Sequence, residues 1–309
     1  MDFSTNYTVR TDMADEILEG IYGKKGDFGD GITFKSSTFG KIKVEKMHVE
    51  RDFVYGDVKK QAGNYVTVAF GNINSFTREE FEQACEIAAD IISGLIPKEK
   101  GLCLTACLGN RNLSADAIGP LTAEKIIVSR HIKQYNPSLF SQMELGECAC
   151  TVTGVTGETG IDAAEMLKGL VEKLKPCCVI AVDALASSKV TRLMNTVQIS
   201  DTGINPGSGV NNSRGEISRN TLGVPVIAIG VPTVVDASTL CAHFLDEKLT
   251  DRQLYRNIKK EFEEKPSDFF VTPKDSDIYV KNLSKLIGFA INKAMHKDMS
   301  FSEMEELLS

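Results

Sequence analysis

Four aspartates stand where this chain leaves, or is about to leave, an apolar run. Asp116 follows Leu102–Leu108 through Gly109-Asn-Arg-Asn-Leu-Ser-Ala, and Asp183 directly follows Cys178–Val182. Asp201 follows Gln198-Ile-Ser, and Asp236 follows Val226–Ile229 through Gly230-Val-Pro-Thr-Val-Val. In an open α/β sheet, ligands bind beyond the carboxyl ends of the strands, so three such strand ends are expected to offer an aspartate to one rim. Two carboxylates held close do not both ionise easily, and one keeps its proton. A pair of that kind can deprotonate a water and protonate a leaving group. Aspartates also cap helices and shape turns. Asp236 has the pattern of a helix cap, and Asp201, before Thr-Gly, that of a turn residue shaping a site. On residue types alone the choice among Asp116, Asp183 and Asp201 stays open.

Other constellations are weaker. Ser208 sits in Gly-Ser-Gly, but the surroundings are not G-x-S-x-G, so no nucleophile elbow is expected. There are only four histidines and no H-E-x-x-H, and Gly154-Val-Thr-Gly-Glu-Thr-Gly160 is not a dinucleotide fingerprint. The eight cysteines lie mostly in apolar runs without zinc-finger spacing, so they are read as reduced core thiols, with no metal and no cofactor. The loop Pro206-Gly207-Ser208-Gly209 could offer backbone N–H groups to an anion or a peptide carbonyl.

The elements that position these residues read as α/β. Ile32 to Phe70 alternates polar and apolar residues between glycines, which predicts antiparallel strands. Thr77 and Glu80 form a capping box ahead of an apolar helical face from Phe81 to Ile92. Buried strands are expected at Leu102–Leu108, Cys178–Val182 and Val226–Ile229, with a further strand around Cys148–Val155. Helices are expected at Leu121–Gln134, Ile161–Leu174, Asp236–Asp246, Asp251–Glu264 and Asp277–His296, and Phe269-Phe-Val-Thr-Pro as a short strand or extended link. The expected architecture is a mostly parallel central sheet flanked by helices, with an antiparallel strand-rich N-terminal part and C-terminal helices. As segments these are 13–75, 76–247 and 248–309 of one α/β domain.

Charge and composition exclude some classes. Acidic residues number 42 and basic ones 35, a net charge of −7, which disfavours a direct nucleic-acid binder. The stretch Leu222–Val235 is broken by Gly223, Pro225, Gly230 and Pro232, so no membrane partner is expected. Met1 to Glu16 is polar and lacks an apolar export core, so a cytoplasmic protein is expected.

Several long motifs resemble the germination protease family of endospore-forming bacteria. They are Gln198-Ile-Ser-Asp-Thr-Gly-Ile-Asn-Pro-Gly-Ser-Gly-Val-Asn-Asn-Ser-Arg, Asp183-Ala-Leu-Ala-Ser, and Gly109-Asn-Arg-Asn-Leu-Ser-Ala-Asp-Ala-Ile-Gly-Pro. Thr221-Leu-Gly-Val-Pro-Val-Ile-Ala-Ile-Gly-Val-Pro-Thr-Val-Val-Asp-Ala, Tyr7-Thr-Val-Arg-Thr-Asp-Met-Ala-Asp-Glu and Phe270-Val-Thr-Pro-Lys extend the resemblance over nearly the whole chain. It implies an atypical aspartic endopeptidase of the forespore and spore core that cleaves small acid-soluble spore proteins. By motif the essential pair falls on Asp116 and Asp183. Asp201, Gly203, Gly207, Ser208 and Gly209 are then supporting or substrate-binding residues. It also implies a zymogen that removes a short propeptide itself, and a homo-oligomer, a tetramer in the family. Family substrates are cut between an acidic and a large apolar residue, with Ala next and Glu three positions beyond the apolar one. Asp12-Met13-Ala14-Asp15-Glu16 has that order, so residues 1–12 are expected to be the propeptide, cut between Asp12 and Met13. Met13 and Ala14 would fill apolar subsites, while Asp12 and Glu16 meet basic or backbone donors. Departures are Arg111 where most relatives have Trp, Ser188 where they have Arg, and Asn211 in place of a glycine. A weaker resemblance to hydrogenase-maturation endopeptidases makes metal assistance by the same carboxylates the mechanistic alternative. A non-cleaving binder of spore proteins and a small-molecule hydrolase are the alternatives of other kinds.

Overall fold

The computed structural model describes residues 11–22, 31–55, 58–99, 101–208, 215–248 and 268–309, with positions 251, 253, 254, 257, 258 and 261. Ala14–Tyr22 forms the first helix (α1). The alternating segment then gives Ile32–Phe39 (β1), Ile42–Val49 (β2), a short hairpin of Phe53–Tyr55 (β3) and Val58–Lys60 (β4), and Gly63–Ala69 (β5). Arg78–Leu95 (α2) starts at the capping box: Thr77 Oγ1 accepts from the Glu80 N–H at 3.2 Å, and the Glu80 carboxylate accepts from the Thr77 N–H at 3.0 Å. Cys103–Leu108 (β6), Ile118–Ala123 (α3), Arg130–Tyr135 (α4), Pro137–Gln142 (α5) and Cys148–Gly154 (β7) follow. Then come Thr156–Thr159 (α6), Ala163–Leu174 (α7), Cys178–Ala186 (β8) and Thr196–Ser200 (β9). Arg219–Leu222 (α8), Val226–Asp236 (β10), Ala237–Lys248 (α9), Phe270–Val271 (β11), Ser276–Met295 (α10) and Phe301–Leu307 (α11) complete the described elements.

The main sheet runs β1-β2-β5-β9-β10-β8-β6-β7, with β11 paired to β10. β10, β8, β6 and β7 are mutually parallel, which makes the mostly parallel core that the apolar runs predict. The antiparallel strands β1, β2 and β5 continue the same sheet through β9. β9 is antiparallel to both neighbours, with Ser200 level with Ala228 near the start of β10. The parallel β6, β8 and β10 direct Asp116, Asp183 and Asp236 toward one rim, whereas β9 runs the other way and Asp201 leaves it toward the opposite end of the sheet. Asp183 is inside β8, which runs on to Ala186, rather than beyond it.

Successive side chains of a strand point to opposite faces. On one face Ile180, Val182, Ile229 and Cys107 pack beneath α2, α3 and α10. On the other, Leu104, Ala106, Val179 and Ala181 pack beneath α7 and α8. Beyond the reach of α7, that second face is covered over β2 and β5 by the N-terminal segment, through Ala14 and Leu18 against Met47, Val49 and Tyr65.

The expected helix Leu121–Gln134 is instead two pieces, α3 and α4. Asn292 of α10 is the reason: its Oδ1 accepts from the Ile127 N–H at 2.8 Å and its Nδ2 donates to the Lys125 carbonyl at 2.7 Å. These bonds take backbone groups that a continuous helix would use itself. Most of the expected helix Asp251–Glu264 lies outside the described residues; those described within it at 253, 254, 257, 258 and 261 are helical. Among the described residues no helix is long and apolar enough to cross a membrane.

Candidate active site

Residues 11–18 are buried without interruption, which is unusual for a polar terminus. The backbone of Asp12 runs beside the end of β8: its N–H donates to the Ala186 carbonyl at 2.9 Å. Its carboxylate accepts from the Ala186 N–H at 2.8 Å through Oδ2 and from the Ser208 hydroxyl through Oδ1. Lys60 Nζ donates to the Asp12 main-chain carbonyl at 2.7 Å. Met13 is wholly enclosed, and the Ala14 N–H donates to Gln198 Oε1 at 3.3 Å.

The two acids that follow are bound more firmly. Arg192 holds Asp15 with both terminal nitrogens, Nη1–Oδ1 at 2.7 Å and Nη2–Oδ2 at 2.5 Å. Glu16 accepts from the Ser188 N–H, the Ser187 and Ser188 hydroxyls, each at 2.7 Å, and from Thr11 Oγ1 at 2.6 Å. Arg192 Nε stands 3.4 Å from Glu16 Oε1. The turn after β8, Ser187 to Arg192, is therefore built around two carboxylates of the N-terminal segment. Ser188 takes part with its backbone N–H and its hydroxyl, a role that its departure from the family pattern did not signal.

A cavity of about 130 Å³ opens beside the Asp12 backbone. Gln198 and Ser200 of β9, Leu185 of β8 and Gly230 of β10 are on its wall, with Lys60 and Glu216. Asp183 is buried and lies in register with Gly230. Two residues before Leu185, it projects to the same face of the sheet as the cavity wall.

Asp116 ends a short 3₁₀ turn, Ser114–Asp116, just beyond β6. Its Oδ2 accepts from the Asn110 N–H at 2.9 Å, and the turn is tied to β10 where Thr233 Oγ1 donates to the Ala115 carbonyl at 2.6 Å. Gly109 is indispensable here: its φ is +110°, and a Cβ would stand 2.1 Å from the Asp116 carbonyl oxygen. Asp116 thus stands on the turn that follows β6, and Asp183 within β8, the parallel neighbour of β6.

The remaining sequence candidates divide. Gly203 and Ser208 border the cavity. Gly203 has φ +85°, with the Ile217 carbonyl 2.3 Å from where a Cβ would be, so the chain turns tightly there. Gly207, also at positive φ, adjoins Ser208, and Gly209 lies outside the described residues, as does Asn211. Asp201 accepts from the Asn64 N–H at 2.7 Å and the Asn64 side-chain amide at 2.6 Å, which fixes the turn after β9. Asp236 caps α9 by accepting from the Thr239 N–H at 3.0 Å. Arg111 pairs with Glu124 at the surface. Lys60 and Arg192 lie outside every motif of the sequence, and Ser187 ends the Asp183-Ala-Leu-Ala-Ser motif without a role assigned to it. Each reaches the N-terminal segment across a long stretch of chain, and neither spacing nor motif marks such contacts.

Most cysteines are core residues: Cys85, Cys103, Cys107, Cys148 and Cys178 are buried, while Cys241 is exposed. Burial pushes the Cys148 thiol up to about 12. Among the described residues, Cys103, Cys177 and Cys178 form the one group of three potential metal-ligand side chains whose ligand atoms lie within 4.8 Å of one another. They stand at the starts of β6 and β8, the opposite ends of those strands from Ala186 and Asp116.

A family model described as germination protease matches residues 23–268. A germination protease of Clostridium acetobutylicum is 36% identical over 327 aligned positions, covering 98% of this chain and 99% of that one. One from Clostridium tetani is 35% identical, covering 98% and 100%, and one from Bacillus velezensis is 32% identical, covering 95% of each. Among solved structures, the [NiFe] hydrogenase maturation protease HycI of Thermococcus kodakarensis aligns with a TM-score of 0.33 at 15% identity, covering 65% of this chain and 98% of that one.

Proposed function

The chain belongs to the germination protease family, and on that footing we propose that it is an endopeptidase that initiates breakdown of small acid-soluble spore proteins in the spore core. It is made as a zymogen that cuts itself between Asp12 and Met13, and it works as a homotetramer. The observation that carries this reading is the N-terminal segment. Asp12, Met13, Ala14, Asp15 and Glu16 are all buried, and each polar one among them has partners in the body of the protein. A peptide ordered in this way beside a cavity, with acid, apolar, Ala and Glu in the family's cleavage order, is held as a substrate is held.

The chemistry is hydrolysis by water. Asp116 and Asp183 share one proton, so that one carboxylate takes a proton from the attacking water and the other protonates the leaving nitrogen. Support comes from the place of Asp116 on the turn after β6, the strand parallel and adjacent to the β8 that carries Asp183, and from the orientation of Asp183 to the cavity face. Ser208 and the Ala186 N–H select an acidic residue before the cut, and the Ser187–Arg192 turn selects acids after Met13. Pairing of substrate carboxylates with fixed donors gives specificity, because those donors are left unpaired when a neutral residue takes the place.

The test is digestion of a purified small acid-soluble spore protein with the processed enzyme, with mass spectrometry of the fragments. Cuts at acid–apolar junctions followed by Ala and a Glu four places after the acid are expected. An intact substrate, or cuts without that rule, would contradict the assignment.

A further inference from the structure

The carbonyl of the bond assigned above as the one cut is the Asp12 main-chain carbonyl, and a cation is already on it. Lys60 Nζ donates to that oxygen at 2.7 Å. Lys60 is the last residue of β4, carried there by a hairpin that pairs only with itself among the described residues. A carboxylate stands on the same residue as the carbonyl, and an ammonium ordinarily pairs with a carboxylate in reach. Here the Asp12 carboxylate is taken by the Ala186 N–H and the Ser208 hydroxyl instead. The ammonium is left for the peptide oxygen.

We propose that Lys60 is a catalytic residue of this protease, the cation that holds the carbonyl oxygen of the scissile bond and balances the negative charge formed there. The inference rests on the reading of Asp12–Met13 as the bond cut. In the reaction, water oxygen adds to the Asp12 carbonyl carbon, and the C=O electron pair moves onto the oxygen. The tetrahedral species then collapses, the bond to the Met13 nitrogen breaks, and that nitrogen takes a proton and leaves as the amine. The carbonyl oxygen is only partly charged before attack and fully charged after it. A fixed cation therefore binds the transition state more strongly than the substrate. Removing one donor of this kind costs about 10²–10³ in kcat.

The surroundings give the residue a recognisable titration. Desolvation in the cavity lowers the Lys60 pKa from its ordinary value, against the opposing pull of Asp12 and Asp15. Tyr65 and Glu216 are the other titratable groups on the same cavity wall. Burial drives Tyr65 up to about 12, so it stays neutral until well into the alkaline range. Loss of the lysine proton then produces an alkaline fall in activity below the pH at which an exposed lysine would titrate.

The experiment measures self-processing, and cleavage in trans of a synthetic peptide of residues 7–18, in the wild type, Lys60→Met, Lys60→Gln, Lys60→Arg and Asp183→Asn. Lys60→Met is expected to lower kcat by about 10²–10³ with KM changed less than about threefold, and Lys60→Arg to retain kcat within about tenfold. The alkaline fall in wild-type kcat is expected to vanish in Lys60→Gln. Melting temperatures near the wild-type value confirm the fold, and Lys60→Gln carries the comparison if Lys60→Met does not fold. Wild-type kcat in these variants, a loss confined to KM, or an alkaline fall that persists in Lys60→Gln would overturn the assignment. Cutting by both the wild type and Lys60→Met, with none by Asp183→Asn, would remove Lys60 from the mechanism and leave the proposed reaction standing. A wild type that cuts neither itself nor the peptide would remove both.

Discussion

Replacing Arg192 by Met takes the positive member out of a buried ionic cluster and leaves two acids behind. The Arg192 side chain is 8% exposed, that of Asp15 5%, and that of Glu16 fully enclosed. Glu16 keeps its donors from Thr11, Ser187 and Ser188, whereas Asp15 loses both bonds to the guanidinium and keeps the Glu16 N–H. Breaking a buried pair by removal of one partner costs about 3–5 kcal/mol, chiefly because the other charge is left uncompensated. At about 1.4 kcal/mol per decade, that is a factor of about 10²–10³ or more in the equilibrium for docking the N-terminal segment. Native-state hydrogen exchange reads it directly: amides of Ala14–Leu18 should lose about 10²-fold or more in protection in Arg192→Met, while those of α10 are unchanged. Arg78→Met is the control. Its pair with Glu82 on α2 is 59% and 32% exposed, and such surface pairs contribute about 0.5 kcal/mol or less. Protection of Ala14–Leu18 within about threefold of wild type in Arg192→Met would refute the argument that fixed side-chain contacts hold the segment down.

Gly109→Ala should destabilise the fold by about 3 kcal/mol or more and abolish cleavage, because its Cβ collides with the Asp116 carbonyl at a positive φ; a melting temperature within a degree or two of wild type would contradict this. His296 is buried with Nε2–H donating to the Ile127 carbonyl, and desolvation lowers its pKa below 6.5. The unfolded chain therefore binds a proton that the folded one does not, so this contribution to stability is whole above pH 6.5 and declines as the pH falls below it. Urea unfolding at pH 7.5 and pH 5.5 should show a smaller loss in His296→Gln than in wild type; equal losses would exclude the imidazole as the cause.

How much was legible in the sequence follows from which forces act locally. β6, β8 and β10 could be read because strands covered on both faces must be apolar throughout, and α2 because its cap and apolar stripe lie within one segment. β9 could not be oriented: five residues carry no record of direction, which is set by pairing with β5 and β10. The break between α3 and α4 was hidden for a similar reason, since Asn292, far along the chain, takes the backbone groups at Lys125 and Ile127. At the site, the order Asp12-Met13-Ala14-Asp15-Glu16 was visible as a local pattern, and the expected backbone and basic donors to Asp12 and Glu16 are found at Ala186, Ser188 and Arg192. The identities of those donors, and of Lys60, depend on turns and hairpins that only the assembled sheet brings together.

In the proposed reaction the chain cuts its own Asp12–Met13 bond, and Asp183 takes part in the cut. The intact mass of the purified 309-residue protein after mild acidification, beside Asp183→Asn, decides this. The wild type alone is expected to lose residues 1–12 and begin at Met13. Loss of the segment by both proteins would contradict the role of Asp183, and retention by both would contradict self-cleavage.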